Sequence, residues 1–377
     1  MNNGQHRDAL RETEPKRLSL LGEIGAKRNS TVIAYLTSAR PGVYNSDIDF
    51  DDMLVIEPHV RAARKMGARN IDLFLVTHGG VAVAPWGVVA MIREHFKTGG
   101  FRVILPSVAY SAGSSISLGA DEIVMGPGSI MGPVDTQIHF PSGAVVRHAS
   151  ASDLQGFLDF LGSQRLSGRA IREKIPDWFT SRMDAPAVGA LYRLWKENRR
   201  KVMKLLSSRR PQLSQGQNDR IADFMLYGIG NHGQSIRRTE ARENGISFIT
   251  DVEKSGIEEQ TSELFAIYAD ILKLTVPHAR PSATLIKMLQ EGDEADYDAY
   301  GAHLSETPVA IVESEFDTNP AYVAYDLRHW NRVPPVLHQD EPISGANVEP
   351  ETPERGQRST LPLRRALWVS TRTLPQR

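Results

Sequence analysis

IDLFLVTHGG at residues 71–80 and RVILPSVAYSAGSSISLGADEIVM at residues 102–125 decide the fold. The runs IDLFLV, RVILP and EIVM have the length and the apolar, β-branched content of buried strands. A helical pattern that opens at Pro85 lies between the first two runs, and a helix of small residues, Ser111–Ala120, lies between the second and the third. Short strand–helix–strand links favour right-handed crossovers and a parallel sheet. The sequence therefore predicts an α/β protein.

Elements of the same kind flank this centre. Ser30–Thr37 predicts another strand, and His59–Gly67 predicts a helix that ends at a glycine. Met183–Leu206 has the apolar spacing of a long amphipathic helix. Ile249–Gly256 is expected to close the core, and Pro308–Val312 predicts a short strand.

The chain divides into four zones on composition. Residues 1–29 form a polar leader with a short predicted helix, and residues 30–255 carry most of the patterned sequence and form the main predicted domain. Residues 256–338 are expected to form a helical extension with a short strand. Residues 339–377, rich in proline and arginine, are expected to form a disordered tail.

Composition excludes several function classes. Lys and Arg number 44 against 45 Asp and Glu, so the basic excess typical of a nucleic-acid binder is missing. The chain has no cysteine, which excludes thiolate nucleophiles, disulfides and Cys-based zinc sites. The histidines lack metal-ligand spacing and no dinucleotide glycine signature is present, so neither a metal nor another cofactor is expected. The uncharged run Val103–Ala120 is too rich in serine and glycine for a transmembrane segment, and no targeting segment is visible. We therefore expect a cytoplasmic protein.

Two loops follow strands of the predicted sheet, where ligands meet α/β proteins. Gly79 and Gly80 follow the first strand and leave backbone N–H groups without side-chain cover, as an anion site or oxyanion hole needs. Ser111 follows the second strand, at the start of the small-residue helix. Developing negative charge beside Ser111 would be favoured by the helix dipole and by the N–H of Ala112.

THGG followed by AYSAGSSISLGADEIVMGPGSIMGPVD resembles the serine dehydrogenase proteinase family. That family belongs to the ClpP/crotonase superfamily and is related to the signal-peptide-peptidase-like S49 proteases. The resemblance covers about residues 30–255, including RRTEARENGI at 237–246. Two residues depart from the family pattern: His78 and Thr136 each stand where a proline is usual.

The resemblance implies a ClpP/crotonase-like fold and a serine peptidase that cleaves peptide or protein substrates. It implies Ser111 as the nucleophile, with the backbone N–H groups of Gly80 and Ala112 forming the oxyanion hole and Gly79 in the same substrate-binding loop. Homo-oligomers are common in the superfamily, so a homo-oligomer is expected.

The sequence leaves the identity of the general base open. A lysine base is expected from the S49 relatives, with Lys196 ahead of Lys174. His139 is slightly late for a ClpP-type base, and His232 more often caps or packs. Asp135 is a candidate to orient the base or bind substrate amides. The remaining cations of this region are interpreted as a solvated helix face: Arg193, Arg199, Arg200, Lys201, Lys204, Arg209 and Arg210.

Two other functions compete with the peptidase. A crotonase-like acyl-CoA enzyme would use the same oxyanion amides to hold a thioester enolate, with Asp135 as the only evident acid–base carboxylate. A non-catalytic scaffold would keep the fold without a working base.

Overall fold

An eight-stranded sheet organises the chain in the computed structural model, which describes residues 5–38, 47–134, 137–142, 145–150, 156, 185–228, 233–275, 306–324 and 367–368. The strands are β1 (Thr31–Thr37), β2 (Ile71–Val76), β3 (Phe101–Leu105), β4 (Val108–Ala109), β5 (Glu122–Met125), β6 (Ile130–Met131), β7 (Gln137–Ser142), β8 (Val145–Ser150), β9 (Ile249–Asp251), β10 (Glu306–Ser314), β11 (Asp317–Ala324) and β12 (Leu367–Trp368). The helices are α1 (Gln5–Arg28), α2 (Asp52–Lys65), α3 (Ala84–His95), α4 (Ala112–Leu118), α5 (Ala185–Ser207), α6 (Gln215–Tyr227), α7 (Arg238–Glu243), α8 (Val252–Ser255) and α9 (Glu258–Ile271).

The strand order of the main sheet is β12-β11-β10-β1-β2-β3-β5-β9. Strands β1, β2, β3, β5 and β9 run parallel, and β10 to β12 add an antiparallel edge. Every residue of β1 and β2 is buried, because helices cover both faces of the parallel part. The predicted α/β class, with a mostly parallel sheet and flanking helices, is confirmed.

Helices α2, α3 and α5 pack on one face of the sheet. Their buried side chains include Val60, Val89, Ile92, Val202 and Leu205, which share one core with alternate strand residues. The opposite face is covered by α1 and α9. Because helices cover both faces of the sheet, the ends of the parallel strands are the part of the sheet that a ligand can reach.

Helix α1 is longer than the short helix expected in the leader. Leu20, Leu21 and Ile24 are buried against the sheet, and Arg17 is buried on the same face of the helix. The guanidinium of Arg17 donates to both oxygens of Glu313 on β10, each at 2.8 Å. A buried stripe at positions 17, 20, 21 and 24 has helical spacing, and it makes this segment part of the folded core.

Asp72 interrupts the apolar run of β2 and is nevertheless fully buried. Its carboxylate accepts hydrogen bonds from Arg28 and Arg102, both at 2.6 Å. The side chain of Arg28 also reaches Glu122 at 2.7 Å. Paired charges explain how an ionised group is tolerated inside the sheet.

Other boundaries differ from expectation. Helix α2 begins at Asp52 rather than His59 and contains Pro58. The predicted strand at Pro308–Val312 lies within β10, which pairs with β1. The tail predicted at 339–377 lies outside the described residues apart from β12. No helix of the described chain is long and apolar enough to cross a membrane.

Candidate active site

The loops after β2 and β3 are joined by backbone hydrogen bonds. The N–H of Thr77 donates to the carbonyl of Val108 at 2.9 Å, and the N–H of Tyr110 donates to the carbonyl of Thr77 at 3.1 Å. These bonds bring Gly79 against Ser111: a Cβ on Gly79 would lie 2.9 Å from the Cβ of Ser111. The two sequence motifs therefore meet at one point.

Ser111 has an unusual backbone conformation. Its φ of 49° and ψ of −107° are rare for a residue other than glycine, and it stands immediately before α4. Its side chain makes no capping hydrogen bond to that helix. A strained turn between a strand and a helix directs the side chain away from the backbone, which suits a nucleophile.

Two neighbouring serines have structural partners instead. Ser114 donates to the carbonyl of Ala109 at 2.6 Å and accepts the N–H of Gly132 at 2.9 Å. Ser117 donates to the carbonyl of Gly113 at 2.9 Å. Both are fully buried, whereas Ser111 is half-buried. Exposure and hydrogen bonding thus distinguish Ser111 from Ser114 and Ser117, and the unusual backbone conformation distinguishes it from Ser115, which is also half-buried.

The glycine loop can present backbone N–H groups to a substrate. Gly79 and Gly80 have φ of +114° and +152°, which side-chain-bearing residues rarely adopt. The N–H of Gly79 donates to Thr77 Oγ1 at 3.0 Å. Among the residues that the structure describes, no acceptor is seen for the N–H of Gly80 or of Ala112. These are the two amides expected to hold an oxyanion.

A cleft begins at Ser111 and runs between α3, α4 and α5. Its described lining is mainly apolar and comprises Ala82, Pro85, Trp86, Ser111, Ala112, Ser115, Val134, Asn198, Lys201, Val202 and Leu205. Helix α5 can approach α4 because Gly119, just beyond α4, has no side chain. A Cβ there would lie 2.9 Å from Val89 and 3.2 Å from Leu205.

Lys201 is the one cationic side chain among the described residues that line this cleft. It shares a face of α5 with Asn198, Val202 and Leu205, all of which are buried. Burial lowers the pKa of the half-buried Lys201 ammonium, and the Glu197 carboxylate opposes that effect. A lysine with a lowered pKa is more often neutral and able to accept a proton.

Sequence reasoning missed Lys201 by placing it in a solvated cluster. The interpretation is wrong for Lys201, which lines the cleft, and for Arg209, which is 2% exposed and donates to the carbonyl of Ala120 at 2.8 Å. The spacing of the helix could have shown that Lys201 faces inward. Residue 201 lies three positions after Asn198 and four before Leu205, so it falls on the buried face of α5.

The lysine preferred from the sequence lies elsewhere. Lys196 is exposed, with its ammonium 5.0 Å from the ring centroid of Tyr192, and it does not line the cleft. Lys174, Asp135 and His232 lie outside the described residues. His139 lies in β7, where only the strand itself is described.

His78, the unusual residue of the glycine loop, packs against the second loop. Its ring meets that of Tyr110 edge-on, with centroids 5.8 Å apart. Desolvation by surrounding atoms lowers the pKa of His78, and the nearby Asp47 carboxylate opposes that effect. Packing of the His78 ring therefore holds the glycine loop, whereas a proline at this position would have restricted the backbone φ.

No group of three or more His, Asp or Glu residues suited to a metal ion occurs in the described parts of the chain.

The fold and the cleft together define an α/β protein with a serine on a strained turn beside paired backbone amides. Residues 7–158 match the model of a family described as ClpP-like SDH-type serine proteinase. The resemblance seen in the motifs is thereby confirmed over this stretch, which includes the glycine loop and Ser111 but not α5.

Individual relatives add context. The chain is 34% identical over 137 residues to the uncharacterized protein MJ0137 of Methanocaldococcus jannaschii, a match that covers 35% of this chain and 46% of the relative. The chain thus spans about half the length of that curated relative. A solved mutant of the 1510-N membrane-bound stomatin-specific protease is 17% identical, with 55% of this chain and 77% of that chain covered and a TM-score of 0.34. A ClpP1 mutant from Listeria monocytogenes is 13% identical, with 63% and 98% covered and a TM-score of 0.32.

Proposed function

We propose that this protein is a serine peptidase in which Ser111 is the nucleophile and Lys201 the general base. The family match supports a serine proteinase in general terms. The observation that carries the assignment of the base is the placement of Lys201, with its lowered pKa, in the cleft that begins at Ser111.

The reaction would proceed through an acyl-enzyme. The neutral amine of Lys201 takes the proton from the Ser111 hydroxyl as its oxygen attacks the peptide carbonyl. The N–H groups of Gly80 and Ala112 donate to the oxyanion that forms. The protonated Lys201 then gives its proton to the leaving amine as the peptide C–N bond breaks, which leaves the acyl-enzyme ester. The neutral amine of Lys201 next takes a proton from water, which attacks the ester and releases the acid product and Ser111.

The described lining of the cleft supplies no feature specific to acyl-CoA chemistry. Its described residues include no carboxylate, whereas proton abstraction next to a thioester needs a base in that position. Asp135, the carboxylate suggested for that role, lies outside the described residues. No described feature therefore favours the acyl-CoA enzyme as a second proposal.

The finer properties stay predictions. They are endopeptidase action on peptide or protein substrates, assembly as a homo-oligomer and a cytoplasmic location. Size-exclusion chromatography with light scattering would test the homo-oligomer.

Labelling with a fluorophosphonate probe tests the proposal directly. We expect the wild-type protein to be labelled, Ser111→Ala to be unlabelled, and Lys201→Met to be labelled at least about a hundredfold more slowly. Lys196→Met is the matched control, because it removes a lysine from the exposed side of the same helix and should label at the wild-type rate.

Each outcome has a distinct meaning. A folded wild-type protein that admits the probe but is not labelled would refute the hydrolase function and favour the non-catalytic scaffold. Slow labelling of Lys196→Met together with normal labelling of Lys201→Met would move the base to Lys196.

A further inference from the structure

The segment Asp47–Asp52, which we call the clamp segment, holds the glycine loop from outside the two motifs. The N–H of Ile48 donates to the carbonyl of Gly79 at 2.8 Å, and the N–H of Val81 donates to the carbonyl of Ile48 at 2.8 Å. Ile48 and Gly80 thus form an isolated parallel bridge. Because both neighbours of Gly80 are tied to Ile48, the direction of the Gly80 N–H depends on where Ile48 lies.

Contact between the clamp segment and Gly80 is very close. A Cβ on Gly80 would lie 2.3 Å from both the nitrogen and the oxygen of Ile48. The side chain of Ile48 is fully buried and packs in the core between the sheet and helices α2, α3 and α5. A small displacement of Ile48 is therefore transmitted directly to the peptide planes around Gly80.

Asp52, the last residue of the clamp segment and the first of α2, in turn fixes the rest of that segment to the sheet. Its Oδ2 accepts the N–H of Asp49 at 2.9 Å and the hydroxyl of Tyr35. Asp52 is 5% exposed, and Tyr35, near the end of β1, is fully buried. β1 pairs in register with β2, the strand that leads into the glycine loop. One carboxylate oxygen therefore connects the scaffold to the segment that orients Gly80.

We propose that Asp52 is a positioning residue, which sets the orientation of the Gly80 N–H in the oxyanion hole through Asp49 and Ile48. Its effect on catalysis rests on the proposed function, whereas its effect on the loop does not. Asp52 does not line the cleft, so it acts only through the clamp segment.

Hydrogen exchange of the full-length protein measures the loop without any need for activity. In Asp52→Ala, which removes both hydrogen bonds, we expect the amides of Ile48 and Val81 to exchange at least about tenfold faster. In Asp52→Asn, which keeps an oxygen where both donors converge, exchange should stay within about threefold of wild type. Tyr35→Phe fills the same space and removes one donor, so it should give an intermediate effect if Asp52→Ala does not fold.

Fluorophosphonate labelling measures the catalytic consequence. Asp52→Ala should lower the maximal labelling rate about tenfold and leave the probe concentration at half-saturation unchanged, since the oxyanion forms only in the labelling step. Asp52→Asn should restore most of that rate. Glu57→Ala is the control and should label at the wild-type rate. Glu57 lies on the same helix as Asp52 but pairs with Arg61 and His95.

Failure of this inference is separable from failure of the proposed function. Unchanged exchange at Val81 in Asp52→Ala would overturn the positioning role even in an active enzyme. Faster exchange with an unchanged labelling rate would also overturn it, because the loop would then not depend on Asp52 in the reacting state. A wild-type protein that is never labelled would refute the peptidase, and exchange would still decide whether Asp52 orients the loop.

Discussion

Replacing Arg17 with methionine should lower the free energy of unfolding by about 3–5 kcal/mol, the range for removing one partner of a buried ion pair. The side chains of Arg17 and Glu313 are both 0% exposed. Arg17 donates to both carboxylate oxygens of Glu313 and to the carbonyl of Leu10, each at 2.8 Å. Tyr268 on α9 also donates to Glu313. One ion pair thus connects α1, β10 and α9.

The magnitude follows from what the substitution leaves behind. Methionine fills much of the space of the arginine side chain, so the cavity contribution is small. The Glu313 carboxylate keeps the hydrogen bond from Tyr268 but loses its counter-charge in a buried site, and that loss dominates. Arg17→Met combined with Glu313→Gln should recover part of the stability, because the remaining buried group is then neutral.

Urea unfolding followed by circular dichroism gives the measurement. Lys16→Met is the matched control, because Lys16 lies one residue away on the same helix and its pair with Glu263 is exposed. That control should change the unfolding midpoint very little. A loss below about 1 kcal/mol in Arg17→Met would refute the argument that this buried pair secures α1 to the sheet.

Three further predictions concern the base, the glycine loop and Asp52. The labelling rate should rise with pH, and the apparent pKa of that rise should lie below the ordinary lysine pKa of 10.5, because burial lowers the pKa of Lys201. An apparent pKa at or above 10.5 would count against Lys201 as the base. Gly80→Ala should abolish labelling, since its Cβ would lie 2.3 Å from Ile48, whereas Gly128→Ala, with nothing within 4 Å, should label normally; equal rates would contradict the close approach. Burial raises the pKa of Asp52 from 3.8 to about 6, so the folded state binds the proton more tightly than the unfolded state. The associated stability, at most about 3 kcal/mol, is present below about pH 4 and lost as the pH rises through about 6. Urea unfolding across this range should show that loss in wild type and a flatter profile in Asp52→Asn, and parallel profiles would refute it.

Much of the fold was predictable because parallel strands covered on both faces form continuous apolar runs. Ile71–Val76 and Glu122–Met125 match their predicted bounds, and the small-residue helix after Ser111 lies within its predicted range. Helix α2 was placed too late, because Pro58 resembles a helix start even though the helix continues through it.

Helix α1 was underestimated for a different reason. Its buried apolar residues are few and lie among many charged ones, so composition alone suggested a polar leader. Arg17 of this helix is a core residue because it pairs with Glu313, which is distant along the chain. A contact of that kind leaves no local pattern in the sequence.

The sequence by itself determined the two loops, because glycine conformation and strand ends are local properties. It therefore predicted that Gly79, Gly80, Ser111 and Ala112 would meet at one edge of the sheet. Tertiary structure alone decided which of Lys196 and Lys201 shares the cleft with Ser111. Lys196 and Lys201 lie on one amphipathic helix, and only the packing of that helix against α3 and α4 turns Lys201 into the cleft and leaves Lys196 in solvent. Burial then lowers the pKa of Lys201, and this desolvation depends on neighbours that the local sequence does not specify.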